Sequence, residues 1–350
     1  MNLKELILNF IQRSKVQEVN LFGNGHIHHT YRVKLEDETQ EFILQKINTS
    51  VFPNYKFCIQ NHLLLQESFK SKFIEIPHLI KTKKNQYYFE DEEKNIWRMM
   101  NFIRDSYSIE LVENENQAYE AGRGYGLFLK ECSHLNPQNY KEAIKDFNRI
   151  SFRIQQLNDA IKKDRVSRYK EIKNLVEFYK QREPFLLELE KLMDSRELPL
   201  RLVHNDTKIN NLLFRNEKSI AVIDLDTIAP GSLLFDYGDA LRTICNSCAE
   251  DEKEISKVTF NLSFFQSFTK GFLKQVKPIL NSQEKEYLYA GPIYMTFIMG
   301  IRFLADYING DIYYKTEYAE HNLVRSKVQK KLIEQIELNM DILKEMIKSD

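Results

Sequence analysis

Residues 201–227 read RLVHNDTKINNLLFRNEKSIAVIDLDT, and they constrain this chain more than any other stretch. Short apolar runs (LRLV, NLLF, SIAVIDL) alternate with polar turns, which reads as strand, loop, strand, turn, strand. His204 and Asp206 then sit on the loop, Asn211 begins the next strand, and Asp224 ends the last. Pairing of those two strands brings Asp224 close to Asn211. A carboxylate and an amide oxygen converging from neighbouring strands suit a hard cation. Magnesium takes few protein oxygens when the phosphates of a nucleotide complete its shell. Asp206, just upstream, is placed to accept a proton from an attacking hydroxyl. His204 is expected to orient the loop through hydrogen bonds, a commoner role for a buried neutral imidazole than proton shuttling.

The surrounding pattern divides in two. Residues 16–47 alternate like a strand followed by a hairpin, 54–73 have helical spacing with Ile59, Leu63 and Leu64 inward, and strand-like pieces follow at 78–82, 86–90 and 95–103. From 115 onward helical periodicity dominates, at 116–131, 139–163, 167–194, 235–248, 253–276, 282–308 and 316–348. The expected architecture is α+β, with an antiparallel sheet and one long helix in residues 1–103 and a mostly helical part in 104–350. Leu3, Leu6, Ile7 and Phe10 make the N-terminus an amphipathic helix. The stripe Phe260, Phe264, Phe268 and Phe272 reads as core and not as a cofactor box.

Lys+Arg and Asp+Glu both number 50, so charge gives no reason to favour nucleic acid or a membrane surface. The apolar run AGPIYMTFIMGI at 290–301 stops at Arg302, well short of the roughly 20 residues a membrane span needs. The first residues lack the apolar core and cleavage site of a signal peptide. Among the four cysteines only Cys245 and Cys248 form a CxxC, and no second pair completes a zinc site, so ordinary reduced thiols are expected. His28 and His29 likewise lack a third partner at ligand spacing. These features together predict a soluble cytoplasmic protein.

H-x-D-x-x-x-x-N at 204–211, followed by Ile223-Asp224, resembles the catalytic and metal elements of the aminoglycoside phosphotransferase and choline kinase superfamily. Protein kinases use the same logic. FGNGHIHHTYRV, FILQKINTSVFP, HNDTKINNLLF, AVIDLDTIAPGSLLFDYGDALR and GIRFLADYINGDIYYKTEY together look like the N-acetylhexosamine 1-kinase group. The resemblance implies a bilobal protein-kinase-like fold, ATP as phosphoryl donor, Mg2+ as cofactor, and transfer to the anomeric 1-hydroxyl of GlcNAc or GalNAc. The N-terminal lobe, 1–103, would bind nucleotide. The C-terminal lobe, 104–350, would carry the catalytic loop, metal and sugar sites.

Carried over by position, the resemblance makes Asp206 the base and Asn211 and Asp224 the magnesium ligands. Lys46 takes the place of the strand lysine that holds nucleotide phosphates, although in-out alternation puts it on the face of Leu44 and Phe42, and Gln45 is a near rival. The backbone from Met100 to Phe102 would meet adenine. His26 would contact sugar hydroxyls; the alternative is a solvated hairpin turn. Arg302 either pairs with Asp306 one turn on or reaches a ligand. The likeness turns Arg302 and Tyr313 toward the sugar. Asp236 reads as a brace for the catalytic loop, and Asp226 as a group for a second metal or for the loop backbone. A monomer or weak homodimer is expected, with a small-molecule sugar and a nucleotide as partners and neither nucleic acid nor membrane. The competing readings are a kinase for another small alcohol (aminoglycoside, choline or homoserine) and a silent kinase-like nucleotide-binding protein.

Overall fold

The computed structural model describes residues 2–11, 15–23, 27–36 and 39–349. Helix α1 (Leu3–Ile7) precedes strands β1 (Val16–Leu21), β2 (His29–Leu35) and β3 (Glu41–Ile47); helix α2 (Tyr55–Ser68) and strands β4 (Phe89–Glu90) and β5 (Ile96–Asn101) follow. The five strands form one antiparallel sheet in the order β1-β2-β3-β5-β4.

Side chains alternate across a strand, so each face of this sheet has its own core. Phe42, Leu44, Trp97 and Met99 pack with Leu6, Ile7 and Phe10 of the N-terminal segment. Ile43, Ile47 and Met100 lie on the opposite face, with Cys58 and Ile59 of α2. The register sets Gln45 opposite Arg98 and Lys46 opposite Trp97.

Two strands expected from the alternation are shorter than the pattern suggested. Leu79 makes a single bridge to Met100, and the next strand is only Phe89–Glu90. Pro77 has no N–H for a ladder. Thr82 closes a turn, donating its N–H to Gln86 O at 2.6 Å and accepting from Gln86 N at 3.1 Å.

The rest of the chain is helical around two small two-stranded sheets. In order come α3 (Glu115–Cys132), α4 (Ile150–Lys163), α5 (Lys173–Lys180), α6 (Glu183–Asp194), β6 (Arg201–Val203), β7 (Leu212–Arg215), β8 (Lys218–Val222), β9 (Ala229–Gly231), α7 (Leu233–Ile244), α8 (Leu262–Val276), α9 (Ser282–Tyr287), α10 (Ala290–Asn309), α11 (His321–Leu338) and α12 (Met340–Ser349). β6 pairs with β9, and β7 with β8.

Several long helical patterns break into shorter elements. α4 starts at Ile150 because residues 141–148 are tied elsewhere: Lys141 N donates to Asn61, and Asn148 donates to Asn205. Pro184 opens α6, where its missing N–H leaves no bond unmade. Asn261 caps α8, accepting from Phe264 N at 3.1 Å.

α3 and α8 cross so closely that Gly122 and Gly271 meet backbone directly. A Cβ on Gly122 would lie 2.0 Å from Phe268 O, and one on Gly271 2.2 Å from Tyr119 O. Phe260, Phe268 and Phe272 are buried in this core and Phe264, partly buried, packs against it, so the aromatic stripe is structural. None of the helices is long and apolar enough to cross a membrane among the described residues.

Candidate active site

The loop after β6 is held by buried hydrogen bonds. The N–H groups of His204 and Asn205 each donate to Asp236 at 2.7 Å, from the first turn of α7. Thr207 donates to Asp236 O, and Thr227 Oγ1 to His204 O. Asn205 donates to Thr227 O and accepts from Asn148, both at 3.0 Å. Asp236 is therefore the expected brace. Burial pushes its carboxyl up to about 6, against the opposing pull of His204 and the two N–H donors.

His204 Nε2 donates to Ile223 O at 2.9 Å, tying the loop to the end of β8. Asn205 and Asp224 both take the left-handed region, at φ 67° and 60°. Asn and Asp are both among the residues that adopt it most readily.

This frame brings Asp206, Asn211 and Asp224 together. Ile223 N donates to Asn211 O at 2.9 Å, so the two strands present Asn211 and Asp224 side by side. Asn211 Nδ2 donates to Asp206 O at 2.8 Å and to Asp206 Oδ2 at 3.2 Å.

Lys208, which the sequence reading passed over, bonds Asp206 Oδ1 at 3.0 Å. Burial would raise the Asp206 carboxyl, but the Lys208 ammonium more than reverses this and holds it below the ordinary range. The available signal was the D-x-K spacing within the loop.

Asp224 differs from its neighbours: no donor reaches its carboxylate among the described residues. Burial and the negative charges of Asp226 and Asp206 raise its pKa. A carboxylate without a donor, beside an amide and a second carboxylate, fits a divalent cation, which would relieve this repulsion.

Asp226 is already occupied. Arg98, from β5, donates through Nη1 and Nη2 to its two oxygens, and His28 Nε2 donates at 2.7 Å. Arg98 also donates to Gln45 Oε1 at 3.0 and 2.7 Å. Burial of Asp226 works against ionisation, but Arg98 and His28 together hold it far below the usual carboxylate range.

His28 Nδ1 accepts from Asn48 N at 3.1 Å, which leaves the proton on Nε2. Both ring nitrogens are thus engaged. Although His28, Asp224 and Asp226 cluster within 4.8 Å, the open oxygen ligands are those of Asp224 and Asn211.

The placement of Lys46 corrects an expectation. Its side chain borders a hollow on the outer face of the sheet with His29, Tyr31 and Trp97. Gln45 and Arg98 face the cleft, where Asp224 lies. Alternation decides this, since Lys46 shares the face of Phe42 and Leu44, which is packed under the N-terminal segment.

The cleft encloses about 250 Å³ between Ile43, Met100 and Phe102 on one side and Leu213, Ile223 and Asp224 on the other. Met100 and Phe102 are thus on the wall, but part of their backbone is committed. Phe102 N donates to Glu41 O and Asn101 N to His78 O, at 2.9 and 3.1 Å. His62 of α2 also lines the cleft; its Nε2 donates to Pro77 O at 2.7 Å and its buried Nδ1 has no partner among the described residues. Burial lowers its pKa to about 4, so this imidazole is neutral.

Arg302 does not pair with Asp306. Asp306 instead accepts from the N–H groups of Ile312, Tyr313 and Tyr314, which fixes the loop after α10. Among the described residues Arg302 has only a 3.4 Å contact to Met299 Sδ and lies over the rings of Phe147 and Tyr314 at 5.1 and 5.6 Å. Tyr313 is 58% exposed beside Tyr314. His26 lies outside the described residues.

The phosphotransferase enzyme family model matches residues 18–254, well over half of the chain. The chain belongs to this family. The fold agrees. A microcompartment-associated aminopropanol kinase superposes with a TM-score of 0.61 at 11% identity, covering 98% of each chain. The aminoglycoside phosphotransferase APH(2'')-Ib, bound to ADP, gives 0.57 at 15% identity, covering 95% of this chain and 97% of that one. Choline kinase from Cryptosporidium parvum gives 0.54 at 15% identity, covering 95% and 93%. The chain is thus a kinase-like phosphotransferase with an α+β fold.

Proposed function

We propose that this phosphotransferase transfers the γ-phosphoryl group of ATP to the anomeric 1-hydroxyl of an N-acetylhexosamine. Similar folds have been solved with ADP and with ATP bound, which supports ATP as donor. Asn211 and Asp224 would hold magnesium, which supplies charge neutralisation at the phosphates.

Asp206 is the base, ionised at neutral pH. A positioned base of this kind contributes about 10²–10⁴-fold. The anomeric hydroxyl, more acidic than other sugar hydroxyls, suits a carboxylate whose pKa is held low. Lys208 adds a cation on the side where the phosphoryl group passes. Arg98 provides buried positive charge on the sheet side, where Lys46 does not reach. With the N–H of Phe102 committed, the N–H of Ile103 is the next main-chain donor for adenine.

The observation that carries the choice of acceptor is Arg302, free of Asp306 and of every other carboxylate among the described residues. A cationic acceptor such as an aminoglycoside or choline would meet Arg302 and Arg153 there, where carboxylates would be needed. The test is magnesium-dependent nucleotide turnover over N-acetylglucosamine, N-acetylgalactosamine, glucose, galactose, choline, homoserine, aminopropanol and an aminoglycoside. Turnover on an N-acetylhexosamine, lost in Asp206→Asn, supports the reading. Turnover confined to a cationic acceptor overturns it.

A further inference from the structure

Two residues that line the cleft hold a buried polar atom with no partner among the described residues: Asn210, through Oδ1, and His62, through Nδ1. Asn210 is anchored by its other amide atom, which donates to Glu110 at 3.3 Å. His62 is the more demanding case, because the whole side chain is only 1% exposed. A buried acceptor left without a donor is unfavourable, so such an atom asks for an explanation.

The other ring nitrogen fixes what His62 Nδ1 can do. Nε2 donates to Pro77 O at 2.7 Å, which places the ring proton there and leaves Nδ1 an acceptor alone. Burial keeps the ring from taking a second proton at neutral pH. Arg98, the cation on this side of the cleft, has its donors on Gln45 and Asp226. The missing donor therefore has to come from what the cleft binds.

The backbone places His62 beside the part of the cleft that meets the base. Pro77 leads into His78, whose carbonyl accepts from Asn101 N at 3.1 Å, and Leu79 bridges to Met100. His62 is thus tied to the segment that runs along Met100 and Asn101. These two residues, Ile103, Pro77 and the apolar side chains of Ile43 and Leu225 line the same cleft. A purine whose N1 accepts from the Ile103 N–H turns its 6-position back along the chain, toward Asn101, Met100 and His62.

We propose that His62 Nδ1 accepts a hydrogen bond from the 6-amino group of the base, and that this contact selects adenine over guanine nucleotides. The inference rests on the reading of the protein as an ATP-dependent kinase and adds a residue that chooses the donor. Adenine carries an amino donor at this position and guanine a carbonyl acceptor. Guanine would set O6 against Nδ1, two acceptors with no proton between them, and its N1–H against the N–H of Ile103. A site built on a hydrogen bond rejects an analogue without the matching group more strongly than shape alone can.

The experiment measures nucleotide affinity of the full chain with magnesium and no acceptor, so it does not depend on which alcohol is phosphorylated. The probes are ADP, purine riboside diphosphate (a hydrogen in place of the 6-amino group) and GDP. The wild type should bind ADP about 10–100-fold more tightly than purine riboside diphosphate, and GDP no better than the latter. The ratio should fall several-fold in His62→Leu and be partly kept in His62→Gln, whose amide can donate to Pro77 and accept from the base. A second readout needs no substitution: with isotopically labelled histidine, the Nδ1 resonance of His62 in the wild type should shift to lower frequency with ADP and stay in place with purine riboside diphosphate.

ADP bound with the Nδ1 resonance unmoved, or a ratio the same in the wild type and His62→Leu, overturns the inference while the kinase reading stands. GDP bound as tightly as ADP overturns it as well. Failure of the chain to bind ADP at all removes the ATP-kinase reading and this inference with it.

Discussion

Removing Arg98 while leaving Asp226 in place should be among the most damaging single changes in the cleft. The two side chains are 2% and 1% exposed, and Arg98 reaches both oxygens of Asp226 and the amide oxygen of Gln45. In Arg98→Met the Asp226 carboxylate stays buried with His28 as its remaining side-chain donor. Breaking a buried pair this way typically costs about 3–5 kcal/mol, because an uncompensated charge is left behind. Replacing both partners with groups of similar shape removes that charge, so Arg98→Met/Asp226→Leu should be more stable than the sum of the single changes by about 2–4 kcal/mol.

Urea unfolding followed by tryptophan fluorescence reports on this directly, since Trp97 is the only tryptophan and neighbours Arg98. A loss under about 1 kcal/mol in Arg98→Met, or strictly additive single effects, would refute the reasoning; such values are typical of exposed pairs.

Lys46→Ala should leave kcat/KM within about twofold, because the side chain faces away from the cleft; a tenfold loss would return Lys46 to the phosphates. Gly122→Ala should destabilise by about 1–3 kcal/mol, since its Cβ would fall 2.0 Å from Phe268 O, and thermal unfolding of the variant checks this. His62 binds a proton below about 6.5 when unfolded but only below about 4 when folded, so its contribution to stability grows as pH rises through that window. About 3 kcal/mol is gained between those limits, and His62→Gln should lose most of that slope in unfolding measured from pH 4 to 7.

The geometry of the loop that carries Asp206 was legible because its signals are local. Asp206, Asn211 and Asp224 follow one another at fixed spacing, and strand pairing alone brings the last two together. Asp236 was readable for the same reason, as a helix-start acid just beyond.

The partners of Asp226 were not, because Arg98 lies 128 residues away and no periodicity links them. A charged residue inside the strand IWRMMN was the one clue. Lys46 was misplaced although its own alternation carried the answer, since Phe42 and Leu44 mark the face turned from the cleft. Helix lengths were overread wherever side chains tie the backbone to distant elements, as Asn148 does to Asn205. Nothing in the pattern decided between Asp306 and a ligand for Arg302, because the loop that claims Asp306 folds back from residues 312–314.

The most direct measurement is single-turnover phosphoryl transfer from γ-labelled ATP with magnesium, comparing the wild type with Asp206→Asn on the best acceptor of the panel. Labelled 1-phosphate formed by the wild type and slowed by about 10²–10⁴-fold in the variant is the predicted result. Equal rates in the two proteins, or label on a hydroxyl other than the anomeric one, would contradict it.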